Sequence, residues 1–251
     1  MYLISSSFGN DSIALIQWVK EQGLEDVYVL YCDTGWSHPE WPARVRKGFL
    51  LAESYGFTTW AVKGEFDFEG IVKMKGGFPN NLFQWCSGLL KGIPLNEFDA
   101  FLDPNCEATV VIGKRREESE ARKDTPEYIE NSDYHEGRTV WHPLYLHTER
   151  QRNALIKRAG WKVLKHRSME CCPCVNANRN DLRHTPDNQI DRVRELEMVV
   201  GRNMYKPSRH GGAEGIDQVM DWALSTPRRY KKGQMMLWTR SELCGSGLCG
   251  Y

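Results

Sequence analysis

Short apolar runs alternate with stretches of helical spacing through the first half of the chain. Met1-Tyr-Leu-Ile4 is too short for a helix and predicts a first strand. Ile13-Ala-Leu-Ile-Gln-Trp-Val19 has its apolar residues at helical spacing and predicts the first helix. Val27 to Tyr31 is the second strand, Glu40 to Tyr55 a helix, and Thr58 to Val62 the third strand. Ala108-Thr-Val-Val-Ile112 is β-branched, ends in Gly113 and predicts the fourth. Strands separated by helices predict an α/β fold with a doubly wound parallel sheet. Such sheets bind ligands at the carboxyl ends of their strands, so the loops after Ile4, Tyr31 and Ile112 share one edge.

Beyond Arg122 the pattern changes. Lys123 to Arg138 is polar and reads as loop, and Thr139 to Leu144 re-enters the fold. Thr148 to Ala159 is helical with Gly160 as its stop; further helices are expected over Asp187–Val200 and Gly215–Leu224. This divides the chain into an α/β unit, residues 1–165, and a helical, cysteine-bearing extension, residues 166–251.

The 251 residues hold one α/β domain and a smaller appendage. Lys and Arg number 33, as do Asp and Glu, so net charge gives no argument for nucleic-acid binding. Local basic clusters stand at Lys114–Arg116 and Arg228–Lys232. Mean hydropathy is −0.56, no apolar run has membrane-spanning length, and the first residues lack the charged start and small-residue cleavage site of a signal peptide. The expectation is a cytoplasmic protein. In that compartment its eight cysteines bind metal or do chemistry more readily than they form disulfides.

Chemistry concentrates in a few segments. Ser5, Ser6, Ser7, Phe8, Gly9, Asn10, Asp11 and Ser12 join the first strand to the first helix. Free N–H groups at a helix start, together with serine hydroxyls, make an anion cradle. The segment is not a Walker A loop, having no Gly-Lys-Ser/Thr ending. Asp33-Thr34-Gly35 follows the second strand and suits a ribose, an adenine edge or a hydrated metal. Gly113 allows close backbone approach, Arg115 and Arg116 offer forked donors for phosphate or sulfate, and Glu118 and Arg122 are spaced to pair. Ser119 lies between them. Cys86, with Lys91 nearby, suits a thiolate that carries a persulfide, attacks sulfur or binds iron. Cys171-Cys-Pro-Cys174 and the pair Cys244 and Cys249 supply four thiolates for a tetrahedral zinc or a 4Fe–4S cluster, and spacing does not choose between them. The histidines nearest these motifs, His38, His142 and His147, lack ligand spacing.

These segments resemble the adenine nucleotide alpha-hydrolase superfamily, whose pyrophosphate loop reads Ser-Gly-Gly-x-Asp-Ser. Ser7, Gly9, Asp11 and Ser12 match, and Phe8 replaces the first glycine. The Ser-Ser-Ser-Phe-Gly spelling and the Asp-Thr-Gly with Pro39 and Glu40 resemble the phosphoadenosine phosphosulfate (PAPS) reductase branch. Gly113, Arg115, Arg116, Glu118, Ser119 and Arg122 fit its Gly-x-Arg-Arg-x-Glu-Ser-x-x-Arg, and Trp85 to Pro94 resembles its Cys-Thr-x-x-Lys-x-x-Pro region with looser spacing. Cys171, Pro173, Cys174, Asp181, Leu182, Arg183, Cys244 and Cys249 are similar to a branch found in bacteriophages and DNA phosphorothioation systems.

The resemblance implies an ATP pyrophosphatase working in sulfur transfer. It implies ATP and Mg²⁺ at Ser5–Ser12, Asp33–Gly35 and the Gly113–Arg122 segment, and an iron–sulfur cluster, with zinc as the alternative, at Cys171, Cys174, Cys244 and Cys249. Asp11, Arg115 and Arg116 would act on the phosphates, and Cys86 or Cys172 would relay sulfur. A cysteine desulfurase or other sulfur donor would be the partner, DNA the acceptor, and a homodimer the assembly. The alternatives are sulfonucleotide reduction to sulfite and a nucleotide-binding subunit without turnover. The reductases end in Glu-Cys-Gly-Leu/Ile-His; here Glu242-Leu-Cys-Gly-Ser matches only in part and lacks the histidine.

Overall fold

The computed structural model describes residues 1–80, 83–208 and 210–225. Six strands form one sheet in the order β3-β2-β1-β4-β6-β5. They are β1 (Tyr2–Ser5), β2 (Val27–Asp33), β3 (Thr58–Lys63), β4 (Thr109–Val111), β5 (Tyr128–Ile129) and β6 (Thr139–Trp141). β1 lies between β2 and β4, parallel to both, with Ile4 opposite Val29 and Val111. The first five strands in that order are parallel, as the alternating pattern predicts, and only β5 runs antiparallel to its neighbour.

β5 corrects the expectation of loop over residues 123–138. Its two residues pair with Trp141 and Val140, and Tyr128 stacks on Trp141 with ring centroids 5.7 Å apart. A two-residue strand carries no alternation to detect; the aromatic neighbour that makes it worthwhile arrives from residue 141.

Helices α1 (Asn10–Glu21), α2 (Trp41–Ser54) and α6 (Glu149–Arg158) enclose one core with the sheet. Ile13, Ile16, Val29, Val111, Leu155 and Ile156 are among its buried residues. Full burial of each such side chain stabilises by about 1.5–3 kcal/mol. α6 starts on a capping box in which Thr148 and Gln151 satisfy each other's backbone N–H groups, and ends before Gly160, whose φ is +72°.

A second core joins α3 (Phe68–Lys75), the π-helical turn Gly88–Gly92 between α4 (Trp85–Ser87) and α5 (Ile93–Leu102), and the helices that follow the cysteine segment. Those are α7 (Arg179–Leu182), α8 (Asp187–Val200) and α9 (Gly215–Leu224), the last two with the bounds the sequence pattern predicts. Trp36, Ile71 and Leu90 from the first half meet Leu182, Val193 and Ile216 from the second. The later helices thus press directly on the Asp-Thr-Gly loop and on the Cys86–Lys91 turn. Among the described residues no helix is long and apolar enough to cross a membrane.

Candidate functional site

Ser5 closes β1 and Asn10 opens α1, so Ser6 to Gly9 form the turn between them. The turn is braced by its own hydroxyls. Ser7 N–H donates to Ser12 Oγ at 3.2 Å, Phe8 N–H to Ser6 Oγ at 3.2 Å, and Gly9 N–H to Ser7 Oγ at 3.3 Å. Phe8 stands where the superfamily has glycine and adopts a left-handed φ of +53°. Its ring is fully buried, edge-on to Phe49 at 5.3 Å, and this packing offsets a backbone conformation that phenylalanine rarely takes. The serine hydroxyls therefore stand at the turn that leads into the first N–H groups of α1, the kind of helix start that suits an anion.

Asp11, in the first turn of α1, lies between two arginines. Arg115 Nε is 2.5 Å from Asp11 Oδ1, and Arg152 Nη1 of α6 is 3.7 Å from Oδ2. Arg115 is 3% exposed and also donates to His147 O at 3.3 Å. Gly113 lets this loop come close: a Cβ there would lie 3.0 Å from Asp11 O. Arg116 turns elsewhere. Its Nε donates to Thr125 O at 2.8 Å, and its guanidinium lies 5.0 Å from the centre of the Tyr145 ring. Glu118 and Arg122 pair as their spacing suggests, yet no α-helix carries them. Two 3₁₀ turns, Arg116–Glu118 and Glu120–Arg122, flank an extended Ser119.

The Asp-Thr-Gly loop is stitched to the cysteine segment. Asp33 Oδ1 accepts from Gly35 N–H at 3.0 Å, holding a turn in which Gly35 has φ +64° and no room for a Cβ. Thr34 Oγ1 donates to Glu170 O at 2.7 Å, Cys172 N–H to Trp36 O at 2.7 Å, and Trp36 Nε1 to Pro173 O at 3.0 Å. The pyrophosphate-type loop joins the same segment through Asn10, whose amide both donates to and accepts from the Leu164 backbone at 2.9 Å. Two of the three motif loops are therefore tied directly to the stretch that leads into Cys171. Of the three histidines, His38 and His147 join these contacts only through backbone atoms, and His142 is buried against Pro126 O.

Lys91 and Glu170 form an ion pair beside the thiols. Burial works against the Lys91 cation, but Glu170, with Cys171 and Cys174 behind it, outweighs this and raises its pKa. Burial pushes the Cys171 thiol up to about 12, with Lys91 pulling the other way. Cys86 is raised by burial and by Cys174. Cys174 thus raises both Cys86 and Cys171, and Lys91 pulls the other way on both. Cys172 is 2% exposed, its sulfur faces Thr185 Oγ1 at 3.9 Å, and burial raises its pKa to about 11. Soft thiols with a lysine counter-charge suit a thiophilic metal or cluster. Among the described residues no three metal-ligating side chains are grouped closely enough to hold an ion. Cys244 and Cys249, the other half of the expected set, and the Arg228–Lys232 cluster lie outside the described residues.

The family model for the phosphoadenosine phosphosulfate reductase domain matches residues 1–177, through all three motif loops and the Cys-Cys-Pro-Cys segment. The chain belongs to this family. A relative from Escherichia phage 186, an uncharacterized 37.8 kDa protein in the gpa 5' region, is 26% identical over 224 residues, 77% of this chain. The chain spans 64% of that relative's length. A crystal structure of phosphoadenylyl-sulfate (PAPS) reductase from Candida auris, in a phosphate complex, aligns with a TM-score of 0.44 at 21% identity, over 64% of this chain and 74% of that one.

In this PAPS reductase domain two site residues escaped sequence reasoning. Arg152 reads as an ordinary polar position of an amphipathic helix, and only the packing of α6 on α1 brings it to Asp11. Glu170 precedes the cysteines, but its partner lies 79 residues earlier. Neither has a local signal.

Proposed function

We propose that the protein is an ATP pyrophosphatase that activates an acceptor by adenylation for sulfur transfer, with DNA as the first acceptor to test. The observation that carries this reading is the Asp11–Arg115 pair, which places a carboxylate and a buried guanidinium beside the serine-rich loop. Family membership supports nucleotide-linked sulfur chemistry in general.

In this reading ATP lies with its phosphates on Ser5–Ser12. Arg115, and the Gly113–Arg122 segment around it, stabilise charge developing on the phosphates. An acceptor oxygen attacks the α-phosphorus, the bond to the β-phosphate oxygen breaks, and pyrophosphate leaves. Sulfur at the sulfide level, delivered as a protein persulfide and released with two electrons from a dithiol reductant, then displaces AMP, which departs with the acceptor's oxygen. Cys86, with Cys172 as the alternative, is the thiol proposed to relay that sulfur. Mg²⁺, when bound, would neutralise phosphate charge, with Asp33 and Asp11 as the carboxylates proposed to hold it. An iron–sulfur cluster, when bound, supplies a site for sulfur or electrons; Cys171 and Cys174 would hold it with thiols beyond the described residues. A sulfur-donating partner such as a cysteine desulfurase and a homodimeric assembly belong to the same proposal.

The test is anaerobic purification with iron, zinc and sulfide counted, and pyrophosphate assayed from ATP with and without DNA and a persulfide donor. Pyrophosphate release stimulated by the acceptor supports the reading. Sulfite from PAPS, with no pyrophosphate from ATP, replaces it by sulfonucleotide reduction.

A further inference from the structure

Helix α2 runs behind the serine-rich loop and grips two consecutive carbonyls. Trp41 Nε1 donates to Ser7 O at 3.2 Å, and Arg44 Nε donates to Phe8 O at 2.7 Å. Trp41 is 4% exposed. The Arg44 guanidinium lies 5.3 Å from the centre of the Trp41 ring and 4.7 Å from that of Trp161, which keeps water off its bond to the loop. One turn further along α2, Gly48 has no side chain, and a Cβ there would fall 2.1 Å from the Phe8 ring. Positions 41, 44 and 48 share one face of the helix, so one element holds the loop by two carbonyls and one ring.

The consequence follows from peptide planarity. The C=O and N–H of a trans peptide point in opposite directions. With the Ser7 and Phe8 carbonyls drawn toward α2, the N–H groups of Phe8 and Gly9 are turned away from it. Both now rest on serine hydroxyls at 3.2 and 3.3 Å, long contacts that a charged phosphate oxygen replaces with stronger ones. We propose that Trp41 and Arg44 are positioning residues that hold the Phe8 and Gly9 amides toward the phosphates of a bound nucleotide, with Gly48 making room for the left-handed Phe8 this requires. The inference rests on the nucleotide reading of the loop given above. Its physical basis is preorganisation: amides already aimed need not be ordered when the anion arrives.

The full chain tests this with inorganic pyrophosphate and ATP as probes in titration calorimetry. Arg44→Met removes the donor and keeps the stem, Arg44→Lys restores a donor, and Trp41→Phe removes the indole N–H and keeps a smaller aromatic ring. Arg44→Met and Trp41→Phe are each expected to weaken pyrophosphate binding about tenfold, the size of one lost hydrogen bond, with Arg44→Lys recovering most of it. In turnover, KM for ATP rises more than kcat falls, a split that general loosening of the fold does not produce. Gly48→Ala, which displaces Phe8, is expected to weaken binding further. Should Arg44→Met fail to fold, Trp41→Phe and Arg44→Lys carry the test. Wild-type affinity in folded Arg44→Met and Trp41→Phe overturns the positioning role and leaves the nucleotide site standing. A wild-type protein that binds neither probe overturns both.

Discussion

Asp11 Oδ1 lies 2.5 Å from Arg115 Nε, across 104 residues of chain. The pair links the first turn of α1 to the loop after β4, so the two strongest motifs of the sequence are one physical unit. Asp11 keeps partial exposure while Arg115 has almost none. Removing the carboxylate therefore leaves a buried cation with only the longer contacts to Glu117 at 3.5 Å and His147 O at 3.3 Å. Asp11→Asn is expected to lower unfolding free energy by about 2 kcal/mol, less than the full penalty of a wholly buried pair. It is also expected to abolish pyrophosphate release from ATP. Urea denaturation and a pyrophosphate assay on the same preparation check both.

Lys91 and Glu170 make a second long-range pair, set against the thiols. Lys91→Met leaves the carboxylate beside Cys171 without its counter-charge, and Glu170→Gln leaves the ammonium alone. A double-mutant cycle on stability is expected to return a coupling of about 1–3 kcal/mol. Additive single effects are the contrary result and mean that the pair is incidental.

The cysteines divide into two groups by what they face. Cys171→Ser and Cys174→Ser are each expected to lower the metal and sulfide content of anaerobically purified protein, whereas Cys86→Ser is expected to keep the metal and lose sulfur transfer. Cys172→Ser is expected to leave that content unchanged and to destabilise the fold by about 1–2 kcal/mol, because a hydroxyl replaces a buried sulfur. Elemental analysis beside thermal melting separates the groups, and equal metal loss in all four variants removes the distinction.

Asp99 supplies a pH dependence away from the motifs. It is 2% exposed, one of its carboxyl oxygens has no hydrogen-bond partner among the described residues, and burial raises its pKa from 3.8 to about 6, although Arg138 pulls it down. The unfolded chain therefore gives up this proton at lower pH than the folded one. Between about pH 4 and 6 the folded state holds more protons, so stability contributed by this group falls as pH rises through that window and is lowest above it. Asp99→Asn is expected to raise stability at pH 7 by about 2–3 kcal/mol and to change little at pH 4. Melting curves at the two pH values check this; an equal shift at both overturns the assignment to Asp99.

Much of this protein follows from local pattern. The three strands that carry the motif loops, the bounds of the two last described helices, and the motif residues themselves are written in apolar periodicity and in the side chains at strand ends. Both signals need only near neighbours in the chain. Tertiary structure decided the pairings: Arg115 and Arg152 on Asp11, Lys91 on Glu170, and Trp41 and Arg44 on the loop carbonyls. It also turned Arg116 to Tyr145, sent Cys172 into the core and formed β5 against Trp141. Each depends on which surfaces meet when helices pack on the sheet. A charged or aromatic side chain shows its chemistry in the sequence, but the partner that directs it comes from a distant segment and is settled only by packing.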